Sequence, residues 1–308
     1  GGGGGDGGEA LERGGGDKSK SARACLIETT AAFLYMCTQQ DDAAAYAGAA
    51  APLLRVLAEG ARDPEPSAQA AAAHALRALA QALVLRAPAD AAGPAMAAAL
   101  GEACAHPARS ARQAALEAAG CFQAYHRFAL PEGAHADLEA RVTLALGDAR
   151  KEVRDLAAYA LTTRLAHLEP AALAARAAAC REKAASALKK YKIVSKRLKA
   201  AEKAGDAAEK ADYQAKMAKN AAKHQRAVAG LASCVLACPY AMPAWMPEAL
   251  VALAAHEGLP MGVGDTVIRA FTDFRRTHQD GWEAHRQRLT RNQLDAVNGI
   301  LVSPSYYA

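Results

Sequence analysis

Alanine-rich segments separated by proline and aspartate dominate residues 21–170. Alanine is the strongest helix former and lets helices approach closely, although each alanine buries little apolar area. Helices are predicted after three such breaks, over residues 68–85, 111–122 and 153–165. Their sequences favour an all-α chain in which each helix covers its neighbours.

The spacing of two arginines indicates how these helices are arranged. Arg112 and Arg154 each open the second helix of a predicted pair and lie 42 residues apart, within the range of HEAT and armadillo repeats. The segment Asp148-Ala-Arg-Lys-Glu-Val-Arg-Asp-Leu-Ala157 is the best single HEAT signature. We therefore predict a HEAT/ARM-like helical-repeat solenoid, with an unrelated helical bundle of coincidental spacing as the alternative.

Composition divides the chain into four predicted regions. The first, residues 1–20, is a Gly-rich segment expected to be disordered, and HEAT-like repeats follow over 21–170. Residues 171–226 are predicted to be a basic Ala/Lys-rich helical insertion, and residues 227–308 a C-terminal domain that ends in an extended tail. A small number of repeats of low apolar content cannot bury their faces without neighbouring repeats. The chain also lacks an initiating Met, so we expect a fragment of a longer protein.

No secretory signal precedes the repeats, and no window is apolar enough for a membrane helix, so we expect a soluble protein without membrane contact. The seven cysteines are dispersed without a CxxC pair or metal-ligand spacing, which indicates reduced intracellular thiols and no metal site. Cys234 and Cys238 share a helix face, an arrangement interpreted as core packing rather than as half of a metal site. His278 and His285, seven positions apart on either side of a predicted cap, are interpreted as too separate for one metal.

The basic region carries fourteen basic and five acidic side chains between Arg181 and Arg226, whereas the whole chain is only +5. Two long helices are predicted to meet near Gly205, with Asp206 as the cap of the second and Glu209 completing a capping box. The charge fits nucleic acid, acidic histone-bound surfaces, inositol phosphates or the acidic rim of a partner, and a solvated insertion is the alternative. Because only two tyrosines interrupt the basic residues, base stacking and direct nucleic-acid binding are not favoured. The candidate basic patch comprises Lys189, Lys190, Lys192, Lys196, Arg197 and Lys199.

The C-terminal region returns to apolar helical patterns. Trp245 lies in a short proline-framed connection and is predicted to be a packing anchor between repeats rather than a ligand platform. A helix is expected over residues 247–256 and another over 265–274. The inward face of the second is predicted to contain Val267, Ile268, Phe271 and Phe274.

Charged and capping residues mark the ends of the last helices. Arg275 and Arg276 are placed where a helix dipole favours positive charge, and they are also candidates for contact with an acidic partner surface. Asp280 with Glu283, and Thr290 with Gln293, are the predicted N-terminal capping pairs. An apolar stripe is expected to dock the final helix on the body of the protein, and it consists of Leu294, Val297, Ile300 and Leu301.

The chain closes on Tyr306-Tyr307-Ala308 after the helix breaker Pro304. Proline has no backbone N–H and keeps its predecessor out of the helical region, so a stiff extended tail is predicted. Two rings, their hydroxyl groups and the α-carboxylate of Ala308 could insert into a pocket of another protein.

Three C-terminal stretches resemble the proteasome activator complex subunit 4 family, a group of large HEAT-repeat activators that need no ATP: Cys238-Pro-Tyr-Ala-Met-Pro-Ala-Trp-Met-Pro247, Phe274-Arg-Arg-Thr-His-Gln-Asp-Gly-Trp-Glu-Ala-His285 and Leu301-Val-Ser-Pro-Ser-Tyr-Tyr-Ala308. The resemblance is close from about Ala227 to Ala308. It implies that Tyr306, Tyr307 and Ala308 form a hydrophobic-tyrosine-any residue tail that enters a pocket between α-subunits of the proteasome core particle and promotes gate opening.

The same resemblance implies further properties that no residue here identifies. These are acetylated-histone binding, DNA repair and chromatin roles, inositol-phosphate binding, and a location in nucleus and cytoplasm. An acetyl-lysine pocket would need an asparagine beside an aromatic wall, and none of the three asparagines is next to a phenylalanine in sequence.

No phosphate loop, nucleophile elbow, HExxH or plausible Ser-His-Asp set is present in the sequence, so we expect a non-catalytic activator without a cofactor. Two alternatives remain open at this point. One is a general HEAT-repeat scaffold or adaptor with an inert tail, and the other is a chromatin or nucleic-acid binder that works through residues 181–226.

Overall fold

The computed structural model describes residues 24–29, 32, 43–85, 92–128, 130–260 and 262–301, and these residues are all-α. A short helical stretch at residues 24–29 comes first. The helices that follow are α1 (Ala43–Gly60), α2 (Pro66–Leu85), α3 (Ala92–Cys104), α4 (Arg109–Tyr125), α5 (Glu132–Ala145), α6 (Lys151–Leu165), α7 (Pro170–Ala204), α8 (Ala207–Leu236), α9 (Met246–Ala254), α10 (Val263–His278), α11 (Trp282–Arg286) and α12 (Arg291–Leu301).

The helices stack in two layers, as expected for a helical-repeat solenoid fragment. In one layer α1 packs on α3 and α3 on α5, while in the other α2, α4, α6, α8 and α10 pack in succession. Antiparallel partners α1 and α2, α3 and α4, and α5 and α6 connect the layers. The predicted all-α solenoid is therefore confirmed, whereas the Gly-rich segment 1–20 lies outside the described residues and the four region boundaries stay predictions.

The same hydrogen bond closes the turn within each of these three pairs. Gln69 Nε2 donates to the Asp63 carbonyl at 2.5 Å, Arg112 Nη1 to the His106 carbonyl at 2.8 Å, and Arg154 Nη1 to the Asp148 carbonyl at 2.9 Å. In each case the donor lies six residues after the acceptor. Arg112 and Arg154 lie in the first turns of α4 and α6, which confirms their predicted positions.

Helix starts were predicted about two residues too late. The structure begins α2 at Pro66, α4 at Arg109 and α6 at Lys151. Proline is compatible with the first helical position, because its missing N–H would have no partner there. The predicted breaks thus end within three residues of the helix starts, and Pro66 is itself the first residue of α2.

Small residues set the distance between neighbouring helices within a layer. Buried alanines line α2, α4 and α6, including Ala72, Ala115 and Ala160. At Gly120 a Cβ atom would lie 3.3 Å from the backbone Cα of Ala160, so α4 and α6 cross at backbone contact. The alanine content therefore determines close packing rather than a large apolar core.

Helices α7 and α8 form a long antiparallel hairpin, as predicted. Gly205, with φ +72°, ends α7 in the left-handed conformation that favours glycine. The Asp206 side chain accepts a hydrogen bond from the Glu209 backbone N–H at 2.9 Å and so caps α8. The base of this hairpin is part of the two-layer stack, because α8 packs on α6 and α10.

The C-terminal helices confirm most of the sequence interpretation but correct two points. Val267, Phe271 and Phe274 are buried, whereas Ile268 is 48% exposed, because it lies a quarter turn around α10 from the face that these three residues share. Helix α11 begins after Gly281 with no side-chain cap, so the predicted Asp280 cap is wrong. The helices predicted over residues 247–256 and 265–274 are Met246–Ala254 and Val263–His278.

Candidate functional site

The predicted tail residues Pro304, Tyr306, Tyr307 and Ala308 lie outside the described residues, so their roles stay predictions. What the structure does describe is the support from which the last helix extends. This support consists of α9 to α12, with the connection between α8 and α9.

Helix α12 starts with a reciprocal cap and is docked by apolar side chains. The Thr290 N–H donates to Gln293 Oε1 at 2.9 Å, and the Gln293 N–H donates to Thr290 Oγ1 at 3.4 Å. This confirms the predicted capping pair. Val297 is fully buried and Ile300 is nearly so, and α12 packs against α9 and α10. The direction of the last helix is therefore set by its contacts with the rest of the chain.

A cluster of aromatic rings and histidines lies beside this helix. The His278 ring stacks on Phe274 with centroids 4.1 Å apart, and it meets His285 edge-on at 5.3 Å. Burial lowers the pKa of His285, and the nearby His278 and Arg288 lower it further. The turn between α10 and α11 thus brings the two rings together, although the histidines are seven positions apart in the sequence. Among the described residues, no group of three or more potential ligands could hold a metal.

Hydrogen bonds from His278 and Arg288 hold the connection between α8 and α9 in place. His278 Nε2 lies 3.2 Å from the Ala241 carbonyl, and Arg288 Nη1 donates to the Met242 carbonyl at 2.6 Å. Trp245, in the same connection, packs against both apolar core clusters, which confirms its prediction as a packing anchor. Sequence reasoning missed Arg288, because a charged residue 46 positions from its acceptor leaves no local signal.

Arg275 and Arg276 occupy the last turn of α10 as predicted, and both side chains are exposed. Arg276 is 75% exposed and lies 3.7 Å from Asp273. An exposed pair at this distance contributes little to stability. Both arginines are therefore accessible to a partner, and their partner contact stays a prediction.

The candidate basic patch lies entirely on α7, and each of its six side chains is exposed. Lys189, Lys192, Lys196 and Lys199 follow helical spacing and so share one face. Of the neighbouring lysines, Lys216 pairs with Asp212 within α8, and Lys210 pairs with Glu202 near the tip of the hairpin. The α7 face therefore presents concentrated positive charge at the surface.

In the described residues, no helix is long and apolar enough to span a membrane. Cys234 is buried in the core, as interpreted from the sequence, and Cys238 is partly buried against both core clusters. Sequence reasoning missed the partner of Cys234, which is Cys180 on α7.

Comparison with known proteins identifies the C-terminal region. Residues 221–308 match the family model described as "Proteasome activator complex subunit 4-like, C-terminal". Over 86 residues the chain is 45% identical to proteasome activator complex subunit 4 of Homo sapiens and 43% identical to subunit 4A of Danio rerio. It is also 42% identical over 82 residues to proteasome activator subunit 4 of Arabidopsis thaliana.

The matched segment is 28% of this chain but only 5% of the human relative, and 4% of the Arabidopsis one. The resemblance predicted from the three C-terminal stretches is confirmed over this segment, and its beginning at residue 221 is close to the expected Ala227. The match reaches Ala308 and so includes the Tyr306-Tyr307-Ala308 ending.

Proposed function

We propose that this chain, whose C-terminal region matches that of proteasome activator complex subunit 4, is a non-catalytic proteasome activator segment. Its tail binds a pocket between α-subunits in the end ring of the proteasome core particle and promotes opening of the gate, without ATP or ubiquitin. The observation that carries this proposal is a family match that extends through the last residue.

Each tail residue has a distinct role in the proposal. Ala308 supplies the carboxylate, Tyr307 supplies the ring and hydroxyl group that reposition a turn of the partner, and Tyr306 is the apolar plug. The docked α12 supports this arrangement, because a helix held by Val297 and Ile300 presents the following residues from a defined place. Pro304 keeps the residues before the tyrosines extended.

The tail alone is a weak ligand on energetic grounds. Burial of two tyrosine rings contributes about 2 to 4 kcal/mol, and capture of the carboxylate about 1.5 to 3 kcal/mol. Association costs of at least about 4 kcal/mol leave at most about 3 kcal/mol, which corresponds to a Kd of about 6 millimolar or weaker. Other contacts must therefore raise the local concentration of the tail, and Arg275 and Arg276 are the proposed contribution of this chain.

The test immobilises the chain at high density through its N-terminal end, so that several tails can bind one core particle, and measures both particle retention and cleavage of a fluorogenic peptide. The wild-type chain should retain core particles and stimulate cleavage, whereas Tyr307→Ala, deletion of Tyr307-Ala308, or extension after Ala308 should abolish both. Lys203→Ala, at an exposed lysine outside the candidate basic patch, is the matched control and should behave as wild type. Undiminished stimulation by the Tyr307→Ala chain would contradict the proposal and favour a general scaffold with an inert tail.

A second candidate function rests on the exposed positive face of α7. Binding of a polyanion, such as an acidic chromatin surface or an inositol phosphate, would use Lys189, Lys192, Lys196 and Lys199. Such binding should weaken steeply with salt and survive removal of the tail. Titration of heparin or inositol hexakisphosphate at two salt concentrations, with and without residues 306–308, separates it from tail-dependent binding.

The proposed function also includes properties that rest on the family resemblance alone. These are acetylated-histone binding, DNA-repair and chromatin roles, and location in nucleus and cytoplasm. No described residue of this chain is assigned to them.

A further inference from the structure

A cavity of about 380 Å³ lies between α7 and α8, within the roughly 300 to 1,000 Å³ range of small-molecule sites. Thr143 of α5 and Leu161 of α6 close one side, while Val194, Met217 and several alanines supply an apolar lining. Five cations line it and no carboxylate does: Arg176, Lys183, Lys190, Lys223 and Arg226. In the described part of the chain, Lys183, Lys190 and Lys223 form no ion pair, so their charges are available to a ligand.

Unpartnered polar atoms also mark this cavity as a binding site. His224 is 4% exposed, lines the cavity, and has no hydrogen-bond partner at Nε2. Burial lowers the pKa of His224 to about 4, and His256 contributes, so the ring is neutral at pH 7. The buried Thr143 Oγ1 is another lining atom without a partner. Buried polar groups are normally satisfied, so these two groups point to a ligand.

Cys180 is the one cysteine among the residues that line this cavity. Its thiol is partly exposed and adjoins the buried Cys234 thiol. A hydrogen bond from Cys234 lowers the pKa of Cys180 to about 7, with Arg176 and Lys183 favouring the thiolate against burial and Glu139. Burial raises the pKa of Cys238, and of Cys121 as well. Because the thiolate is the reactive form, Cys180 is distinguished from these two cysteines.

We propose that this cavity is a modification site, in which a small anionic thiol of the glutathione class forms a mixed disulfide with Cys180. The carboxylates of the ligand meet Lys183, Lys190 and Lys223. His224 Nε2 and Thr143 Oγ1 hydrogen-bond to its amide groups. This activity is independent of the tail and of the proposed proteasome contact.

The reaction needs only a disulfide as oxidant. The Cys180 thiolate attacks one sulfur of glutathione disulfide, the S–S bond of that molecule breaks, and one glutathione thiolate leaves as the Cys180–glutathione bond forms. The Cys234 thiolate could then attack Cys180 Sγ, expel the second glutathione thiolate and leave a Cys180–Cys234 disulfide. The hydrogen bond to Cys180 and burial raise the pKa of the Cys234 thiol. Burial remains once Cys180 is in the mixed disulfide, so this step is slow and the mixed disulfide accumulates.

The experiment compares two disulfides of opposite charge on the full chain. The protein is treated at low ionic strength with glutathione disulfide, which is anionic, or with cystamine, which is cationic, and peptide mapping by mass spectrometry gives the rate at each cysteine. Exposed Cys25 serves as the internal reference. The rate ratio of Cys180 to Cys25 should be about tenfold higher with glutathione disulfide than with cystamine.

Charge variants decide whether the cavity is responsible. The double variant Lys183→Gln and Lys223→Gln should remove most of that preference, whereas Lys203→Gln, which changes an exposed lysine on the same helix as Lys183 but outside the cavity, should leave it unchanged. The proposal is overturned if Cys180 stays unmodified, if cystamine reacts at an equal ratio, or if Lys203→Gln has the effect of the double variant. Equal modification of Cys121 or Cys238 would overturn it as well.

Discussion

Arg112 connects two neighbouring pairs of the helical stack. Its Nη1 donates to the carbonyls of His106 and Pro107, both at 2.8 Å, within its own turn. Its Nε lies 2.9 Å from Asp148 Oδ2, in the next turn, with the two side chains 16% and 14% exposed. One guanidinium therefore fixes a turn and also its distance from the next one.

Replacement of Arg112 by alanine should lower the free energy of unfolding by about 2 to 4 kcal/mol, because a mostly buried Asp148 carboxylate loses its partner. The matched control is Arg55→Ala. Arg55 lies 2.6 Å from Glu102, but the two side chains are 47% and 55% exposed, so its loss should be below about 1 kcal/mol. Urea unfolding followed by circular dichroism measures both, and equal losses would contradict the assigned role of burial.

The α7–α8 hairpin turns at a tip whose structure depends on local contacts. Gly205 supplies the left-handed residue, and Asp206 caps α8 through the Glu209 N–H. The tip is exposed, so few tertiary contacts compensate for a lost cap. Local opening of this element is therefore governed by its cap.

Asp206→Ala should destabilise the first turn of α8 by about 1 kcal/mol. Hydrogen exchange should show faster exchange at the Glu209 amide, with no change in α4 or α6. Asp212→Ala removes only an exposed pair with Lys216 and should change exchange by less than about 0.5 kcal/mol. Unchanged protection at Glu209 in the Asp206→Ala chain would show that packing, not the cap, orders the tip.

Elements set by local chemistry could be predicted from the sequence. The caps at Asp206 and at Thr290 with Gln293 were predicted correctly, because each depends on residues three positions apart. The turn arginines were placed correctly because they recur with the repeat. The Asp280 cap was predicted wrongly, because a cap depends on where the preceding turn ends. The burial of Ile268 was also predicted wrongly, because a difference of one position around the helix decides whether a side chain is exposed.

The candidate sites were less accessible to sequence reasoning, since long-range contacts form them. Cys180 and Cys234 come from different helices of one hairpin, and their contact depends on the register between α7 and α8. His278 and His285 meet because the turn after α10 reverses the chain. The tail was predicted from its composition and family resemblance, and it lies outside the described residues.

At the scale of the whole molecule, the apolar core of the described residues consists of two clusters. The first includes residues from α1 to α8, and the second includes residues from α7 to α12. Cys180, Cys238 and Trp245 are partly buried against both. In a solenoid, stability is close to a sum of repeat and interface contributions, so these shared residues determine whether both clusters unfold together.

Trp245→Ala should uncouple the two clusters, because Trp245 is the largest side chain that contacts both. We expect a loss of about 3 kcal/mol and a split in urea unfolding. Trp282, which packs on Phe274 with centroids 6.5 Å apart, reports on the second cluster by fluorescence, while circular dichroism follows all helices. The two signals should coincide in the wild-type chain and separate in the variant. The control Tyr125→Ala removes a ring that is 65% exposed, so the two signals should still coincide in that chain. Coincident signals in the Trp245→Ala chain would contradict the prediction and mean that the remaining contacts between α6, α8 and α10 suffice for cooperative unfolding.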